Sequence, residues 1–251
     1  MHLILTGATG LVGSGVLAHI LSLPAGQVTR LSILSRKPVA MAEGANNLNV
    51  KFIHHDDFSS YSPELLQELK GADGVVWALG ISQNEVNKED YVKLTKDYTL
   101  EAAKAFSGLS DNFKFVYVSG EGATLKPGMF TPLFGRVKGE TEAALLEMGK
   151  KTPSLKVFSL RPGAVDPSAH PEVLKAVAAK LNQRPMWHKV GNRVLTPALR
   201  ACYPDFVSPT KDLGRVLTDL AVGDGEPLEG RGIEGEGRTI TNVGMRRLAG
   251  I

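Results

Sequence analysis

The chain contains a single cysteine, Cys202, and only two tryptophans, and aromatic residues make up 6% of it. One thiol excludes an intrachain disulfide framework and any multi-cysteine zinc site, so a reducing compartment, taken here as the cytoplasm, and no metal centre are expected. No apolar run approaches the roughly 18 residues of a membrane span. A transmembrane segment is therefore not expected, although peripheral attachment to a membrane surface remains compatible with the sequence. The first apolar run is interrupted by Thr6-Gly7 and carries His2 in place of a basic stretch, so it does not read as a signal or transit peptide. A strong charge of one sign is also lacking: 29 basic residues face 26 acidic ones, for a net charge of +3. Basic residues occur as scattered pairs, such as Arg36-Lys37 and Arg246-Arg247, rather than as a stripe interleaved with aromatics. No specific nucleic-acid partner is expected; mild basicity suits an anionic small ligand better.

What is present is a regular alternation. Strand-length apolar runs (2–6, 28–34, 49–53, 74–79, 113–119, 155–160) are separated by helical patterns over 11–21, 88–107 and about 134–149. Runs apolar on both faces and joined by crossover-length segments belong to a parallel sheet covered on both sides. The expected fold is a doubly wound, Rossmann-type α/β sheet, with residues 1–251 forming one domain. After residue 163 the pattern loosens, and residues 164–209 are expected to form a small annex on the substrate side of that domain. A helix over 171–183, a short strand near Val194-Leu195 and a helix opening at Thr210 or Asp212 are expected there and just beyond. The glycine-rich stretch 223–237 reads as a mobile surface loop, and Asn242 as the N-cap of a closing helix.

The first strand runs directly into TGATGLVG. Gly7 permits backbone angles closed to other residues, and Gly10 removes a side chain where phosphates would approach the next helix. Gly13 lets that helix pack closely on the sheet. The backbone from Thr9 through Gly10, Leu11 and Val12 then forms an anion site at a helix N-terminus, suited to the diphosphate of a dinucleotide. The second strand ends in Ser35, Arg36 and Lys37 where an Asp or Glu would accept from ribose hydroxyls. Arg36 and Lys37 match a 2′-phosphate, so NADP(H) is expected in preference to NAD(H); a solvated pair at a strand end is the alternative. Asp57 is placed either beside the adenine or as a cap. Leu79 and Gly80 end the fourth strand, with Gly80 leaving room for the cofactor.

The order TGATGLVG, WALG, KDYTLEAAKA, YVSGEGA, FGRVKGETEAAL and SLRPGAV resembles the atypical short-chain dehydrogenase/reductase superfamily. Within it, the pattern is most similar to the group of the oxidoreductase-like Tat-interacting protein and related fungal mitochondrial proteins, over roughly residues 2–166. The resemblance implies a Ser and a Tyr-x-x-x-Lys at the active site, with Tyr as acid/base, Lys supporting the phenolate and the nicotinamide ribose, and Arg-Pro-Gly lining the nicotinamide. By that pattern Ser119 and Lys138 are candidate catalytic and cofactor-binding residues, and Arg161, Pro162 and Gly163 candidate cofactor neighbours. Two departures stand out: the tyrosine position is Phe134, and the second serine of the family's Ser-Ser pair is Gly120. Tyr117, Glu121 and Tyr203 remain as substitute proton donors. Two functions are therefore expected: a weak NADP(H)-dependent carbonyl oxidoreductase acting on a small molecule, or a catalytically impaired nucleotide-binding regulator or scaffold with a protein partner. The resemblance also implies a peripheral mitochondrial location as the alternative to a cytoplasmic one.

Overall fold

All five residues of the first apolar run are buried, because β1 (His2–Thr6) lies in the middle of a sheet. Its neighbours are β2 (Arg30–Ser35) and β4 (Gly74–Trp77), both parallel to it, with Leu5 opposite Ile33 on one side and Val76 on the other. With β3 (Asn49–His54), β5 (Phe113–Val118), β6 (Leu155–Leu160), β9 (Ile233–Glu234) and β10 (Thr239–Ile240), the eight-stranded order is β3-β2-β1-β4-β5-β6-β10-β9. All pairings are parallel except β9 with β10. This computed structural model describes residues 1–43, 48–183 and 203–251.

Alternating side chains of β1 feed two cores, as a strand buried on both faces requires. Leu3 and Leu5 pack with Val16, Leu17 and Ile20 of α1 (Leu11–Ser22) and with Leu213, Val216 and Leu217 of α7 (Thr210–Val222). Ile4 faces the opposite way, onto Trp77, Phe106, Phe115 and Leu145. That second face is covered by α2 (Pro63–Leu69), α4 (Tyr98–Phe106) and α5 (Leu133–Lys151). The expected helix over 88–107 is broken into α3 (Lys88–Val92), a π turn (Lys93–Asp97) and α4. Trp77 is a core residue, and Tyr98 packs against the same core with Lys93 Nζ 5.8 Å from its ring centre.

The annex holds α6 (Pro171–Gln183) and a separate parallel pair, β7 (Ala164–Asp166) with β8 (Val207–Pro209). Val194-Leu195 and Cys202 lie outside the described residues. Two expectations near the C-terminus are corrected. The stretch 223–237 is anchored: Leu228 donates to Gly237 O at 3.0 Å, Arg238 reaches Gly225 O, and β9 adds the last strand to the sheet. Its glycines serve tight turns, five of them at positive φ, and Gly250, further on, is the helix stop. The cap of α8 (Asn242–Ala249) is Thr241, whose Oγ1 accepts from Gly244 N–H, and Asn242 is buried for another purpose described below.

Candidate functional site

The sheet order reverses on either side of β1, and an open α/β sheet leaves a crevice beyond the carboxyl ends of its strands at such a point. Here that crevice is a cavity of about 940 Å³, walled by the ends of β1, β4, β5 and β6 and by the annex. Its first wall is the glycine turn. Gly7 has φ +69°, and a Cβ there would stand 2.1 Å from Ala78 O; a Cβ on Gly13 would stand 2.2 Å from Gly7 O. Gly7 O accepts from Gly10 N–H at 2.8 Å, and Gly10 opens α1 with no side-chain cap and no acidic residue in the first turn. Gly7 and Gly13 thus shape the turn from behind, Thr9 lies within it, and Gly10, Leu11 and Val12 line the cavity. A helix start with no side-chain cap is a ready anion cradle.

Along the β2 end, Arg36 lines the cavity, whereas Lys37 is an exposed neighbour whose carbonyl accepts from Ser35 Oγ at 2.9 Å. Asp57 is a turn cap outside the cavity lining: its carboxylate accepts from Ser59 N–H, Ser59 Oγ and Ser60 Oγ, and these bonds, Ser59's foremost, hold its pKa down to about 2. Leu79 and Gly80 both line the crevice, and nothing stands within 4 Å of where a Gly80 Cβ would be, so this glycine faces open space.

The floor is built by β5, α5 and the turn after β6. Lys138 Nζ donates to Ser119 O at 2.6 Å and to Val118 O at 3.3 Å, and burial brings its pKa down to about 8, against an opposing pull from Glu142. Phe134, one helical turn before Lys138, lines the cavity with a hydrocarbon ring, and its N–H donates to Gln83 Oε1 at 2.8 Å. Ser119 lines the cavity too, but its Oγ donates to Glu142 Oε1. Glu142, 5% exposed, also pairs with Arg161, whose Nη2 lies 2.6 Å from Oε2 and whose Nε bridges both oxygens at 3.0 and 3.1 Å. Arg161 Nη1 continues to Glu234 Oε2 at 3.0 Å. The guanidinium therefore clamps the loop beneath the crevice, while Pro162 and Gly163 form its wall. A Cβ on Gly163 would stand 2.1 Å from Phe206 O, and Gly163 N–H donates to Ser208 Oγ at 2.9 Å.

Of the three substitute donors only Glu121 reaches the crevice. Tyr117 is fully buried below the floor, with Thr141 beside it and burial pushing its phenol far up. Tyr203 is 68% exposed. Glu121 lines the cavity, but its Oε1 accepts from Asn242 N–H. Asn242 is the joint of this corner: it accepts from Ser208 Oγ at 2.6 Å and donates to Asp205 O at 2.6 Å. Sequence reasoning missed Glu142, Gln83 and Asn242. Only Glu142 carried a local signal, four residues after Lys138 and hence on the same helix face.

This is a Rossmann-type α/β fold with a crevice at its topological switch point. No family model matches the chain. Leucinostatins biosynthesis cluster protein T of Purpureocillium lilacinum is 34% identical over 263 aligned positions, covering 98% of this chain and 94% of that protein. Botcinic acid biosynthesis cluster B protein 16 of Botryotinia fuckeliana (strain B05.10) is 46% identical over 159 residues, 61% of this chain and 98% of that one. A looser relative, protein fmp52, mitochondrial, of Emericella nidulans, is 30% identical over 162 residues, 64% of this chain and 65% of it. Among solved structures, a 3-oxoacyl-[acyl-carrier protein] reductase with bound NAD from Brucella melitensis has a TM-score of 0.61 at 16% identity, covering 97% of this chain and 89% of its own. MoeE5 in complex with UDP-glucose and NAD has a TM-score of 0.58 at 16% identity, covering 89% and 73%. The chain belongs to the family of the two cluster proteins and is loosely related to the fungal mitochondrial group, and its fold is the one seen in solved short-chain dehydrogenase/reductase-like structures.

Two expectations are corrected. The preference for NADP(H) is set aside, because both of these solved structures hold NAD. In physical terms the Arg36-Lys37 pair does not form a phosphate pocket: both side chains are exposed and only Arg36 reaches the cavity. The cytoplasmic location is set aside because relatives of this chain are named as mitochondrial. Among the described residues, no helix is long and apolar enough to cross a membrane.

Proposed function

We propose that this protein binds the nicotinamide dinucleotide NAD(H) in the crevice without the acid–base machinery of its superfamily, and that it works as a nucleotide-binding regulator or scaffold. The binding half of this reading rests on the glycine turn: a side chain at Gly7 or Gly13 would collide with backbone, and the uncapped start of α1 faces the cavity. Amides of Leu11 and Val12 would hold the diphosphate where Gly10 leaves it room, Lys138 the ribose hydroxyls, and Pro162-Gly163 the nicotinamide edge. When bound, the dinucleotide supplies hydride transfer, and reduction of a carbonyl then needs a proton donor beside the oxygen.

The observation that carries the impaired reading is the floor of the crevice. Phe134 has no proton to give, Ser119 Oγ is committed to Glu142, and Tyr117 is walled off. Residues 1–251 act as one dinucleotide-binding domain in this reading, with 164–209 offering the second surface of the crevice through Val177 and Phe206. A slow carbonyl oxidoreductase is the second reading. It is favoured by the retained Lys138 at the floor of an open cavity and by the biosynthesis clusters named for two relatives.

The test is calorimetric titration with NADH followed by a carbonyl-substrate screen. Saturable binding with no turnover above the uncatalysed rate is expected. Turnover at ordinary enzyme rates, above about 1 per second, would overturn the impaired reading in favour of the oxidoreductase.

A further inference from the structure

Lys138 keeps unusual company for a lysine. Its Nζ meets two backbone carbonyls, Ser119 O at 2.6 Å and Val118 O at 3.3 Å, and no ion pair to it is formed among the described residues. The nearby Glu142 carboxylate is saturated by Arg161 and Ser119. A neutral amine has two N–H donors and one lone pair; two carbonyls satisfy the donors and leave the lone pair free. Both departures from the superfamily pattern clear the space around it. Phe134 brings no hydroxyl, and at Gly120 even a Cβ would come no nearer than 3.8 Å to Nζ. The amine stands on the floor of a 940 Å³ cavity, accessible from the crevice.

We propose that Lys138 is a nucleophilic amine that forms an imine with carbonyl compounds, above all aldehydes, entering the crevice. The Nζ lone pair adds to the carbonyl carbon, the C=O π pair moves to oxygen, and a proton passes from nitrogen to that oxygen to give a carbinolamine. Nitrogen's lone pair then forms C=N as the C–O bond breaks, and the second amine hydrogen leaves with oxygen. One aldehyde and one amine yield one imine and one water, with no change of oxidation state. Burial supports this use: with a pKa of about 8, about a quarter of Lys138 is free amine at pH 7.5, against about a thousandth of an ordinary lysine. The inference goes beyond the dinucleotide reading and does not depend on it, since the amine serves ribose hydroxyls or an electrophile, one at a time.

The experiment is reductive trapping of the full chain with benzaldehyde and sodium cyanoborohydride at pH 7.5, read by peptide mass spectrometry. Lys138 is expected to be benzylated at least tenfold faster than the exposed Lys104 and Lys126, with a rate that levels off above pH 8 while theirs keeps rising. Lys138→Arg, checked for an unchanged melting transition, is expected to remove the fast phase while labelling of the exposed lysines continues. Modification of Lys138 no faster than the exposed lysines, or a fast phase that survives Lys138→Arg, would overturn the proposal. Added NADH is expected to protect Lys138. If trapping is fast and NADH gives no protection, the imine stands and the dinucleotide reading falls.

Discussion

The Ser119 hydroxyl donates to the Glu142 carboxylate, which is itself clamped by the Arg161 guanidinium. Two charges and a hydroxyl at the floor of the crevice thus satisfy one another and leave no donor aimed upward. Restoring the missing tyrosine alone therefore does not restore the chemistry. Phe134→Tyr is expected to raise carbonyl reduction less than tenfold in steady-state assays with NADH. A gain of two to four orders of magnitude, the usual worth of a general acid, would show that Ser119 and Lys138 still form a working site.

Glu142 is also a structural keystone. Its removal leaves Arg161, 15% exposed at the side chain, facing Glu234 alone. Glu142→Ala is expected to cost about 3 kcal/mol in denaturant unfolding, most of it from stranding a buried cation. A loss under about 1 kcal/mol would mean that solvent or Glu234 replaces the partner.

Two glycines of the crevice separate folding from binding. Gly7→Ala combines a strained φ of +69° with a Cβ 2.1 Å from Ala78 O, and is expected to destabilise the protein by about 3 kcal/mol or more. Gly80→Ala puts its methyl into open space and is expected to melt like the parent, while NADH affinity falls about tenfold, ~1.4 kcal/mol. Equal melting losses in both variants would contradict the assignment of that space to a ligand.

The fold was legible because burial writes itself into sequence: β1 is apolar on both faces, so its run could belong only to a covered parallel sheet. The glycine turn was legible because its steric demand admits no other residue at Gly7. The Arg36-Lys37 reading failed because a charge pair in sequence says nothing about whether both side chains turn to one cavity. Stretch 223–237 misled for a related reason: glycines needed for tight, anchored turns have the same composition as glycines in a loose loop. Asn242 was invisible because its partners, Glu121, Asp205 and Ser208, are brought to it only by the tertiary fold.

His2 offers a pH test of the buried sheet. It is 8% exposed, its Nε2 lies 2.8 Å from Ser32 Oγ, and burial lowers its pKa to about 4. The unfolded chain protonates this imidazole below about pH 6.5 while the folded chain resists, so protons favour unfolding. His2's contribution is therefore complete above pH 6.5 and is lost progressively as the pH falls to 4. Chemical denaturation across that window is expected to show a decline that His2→Asn flattens; an identical decline in the variant would assign it to other groups.

The central claim is a dinucleotide site without the tyrosine and free serine that serve carbonyl reduction, and NADH fluorescence titration of the folded protein, followed in the same cuvette by a carbonyl substrate, tests it most directly. Saturable one-to-one binding with no decay of NADH absorbance beyond the blank is the expected result. A cooperatively melting sample that binds neither NADH nor NAD, or one that consumes NADH at enzymatic rates, would contradict it.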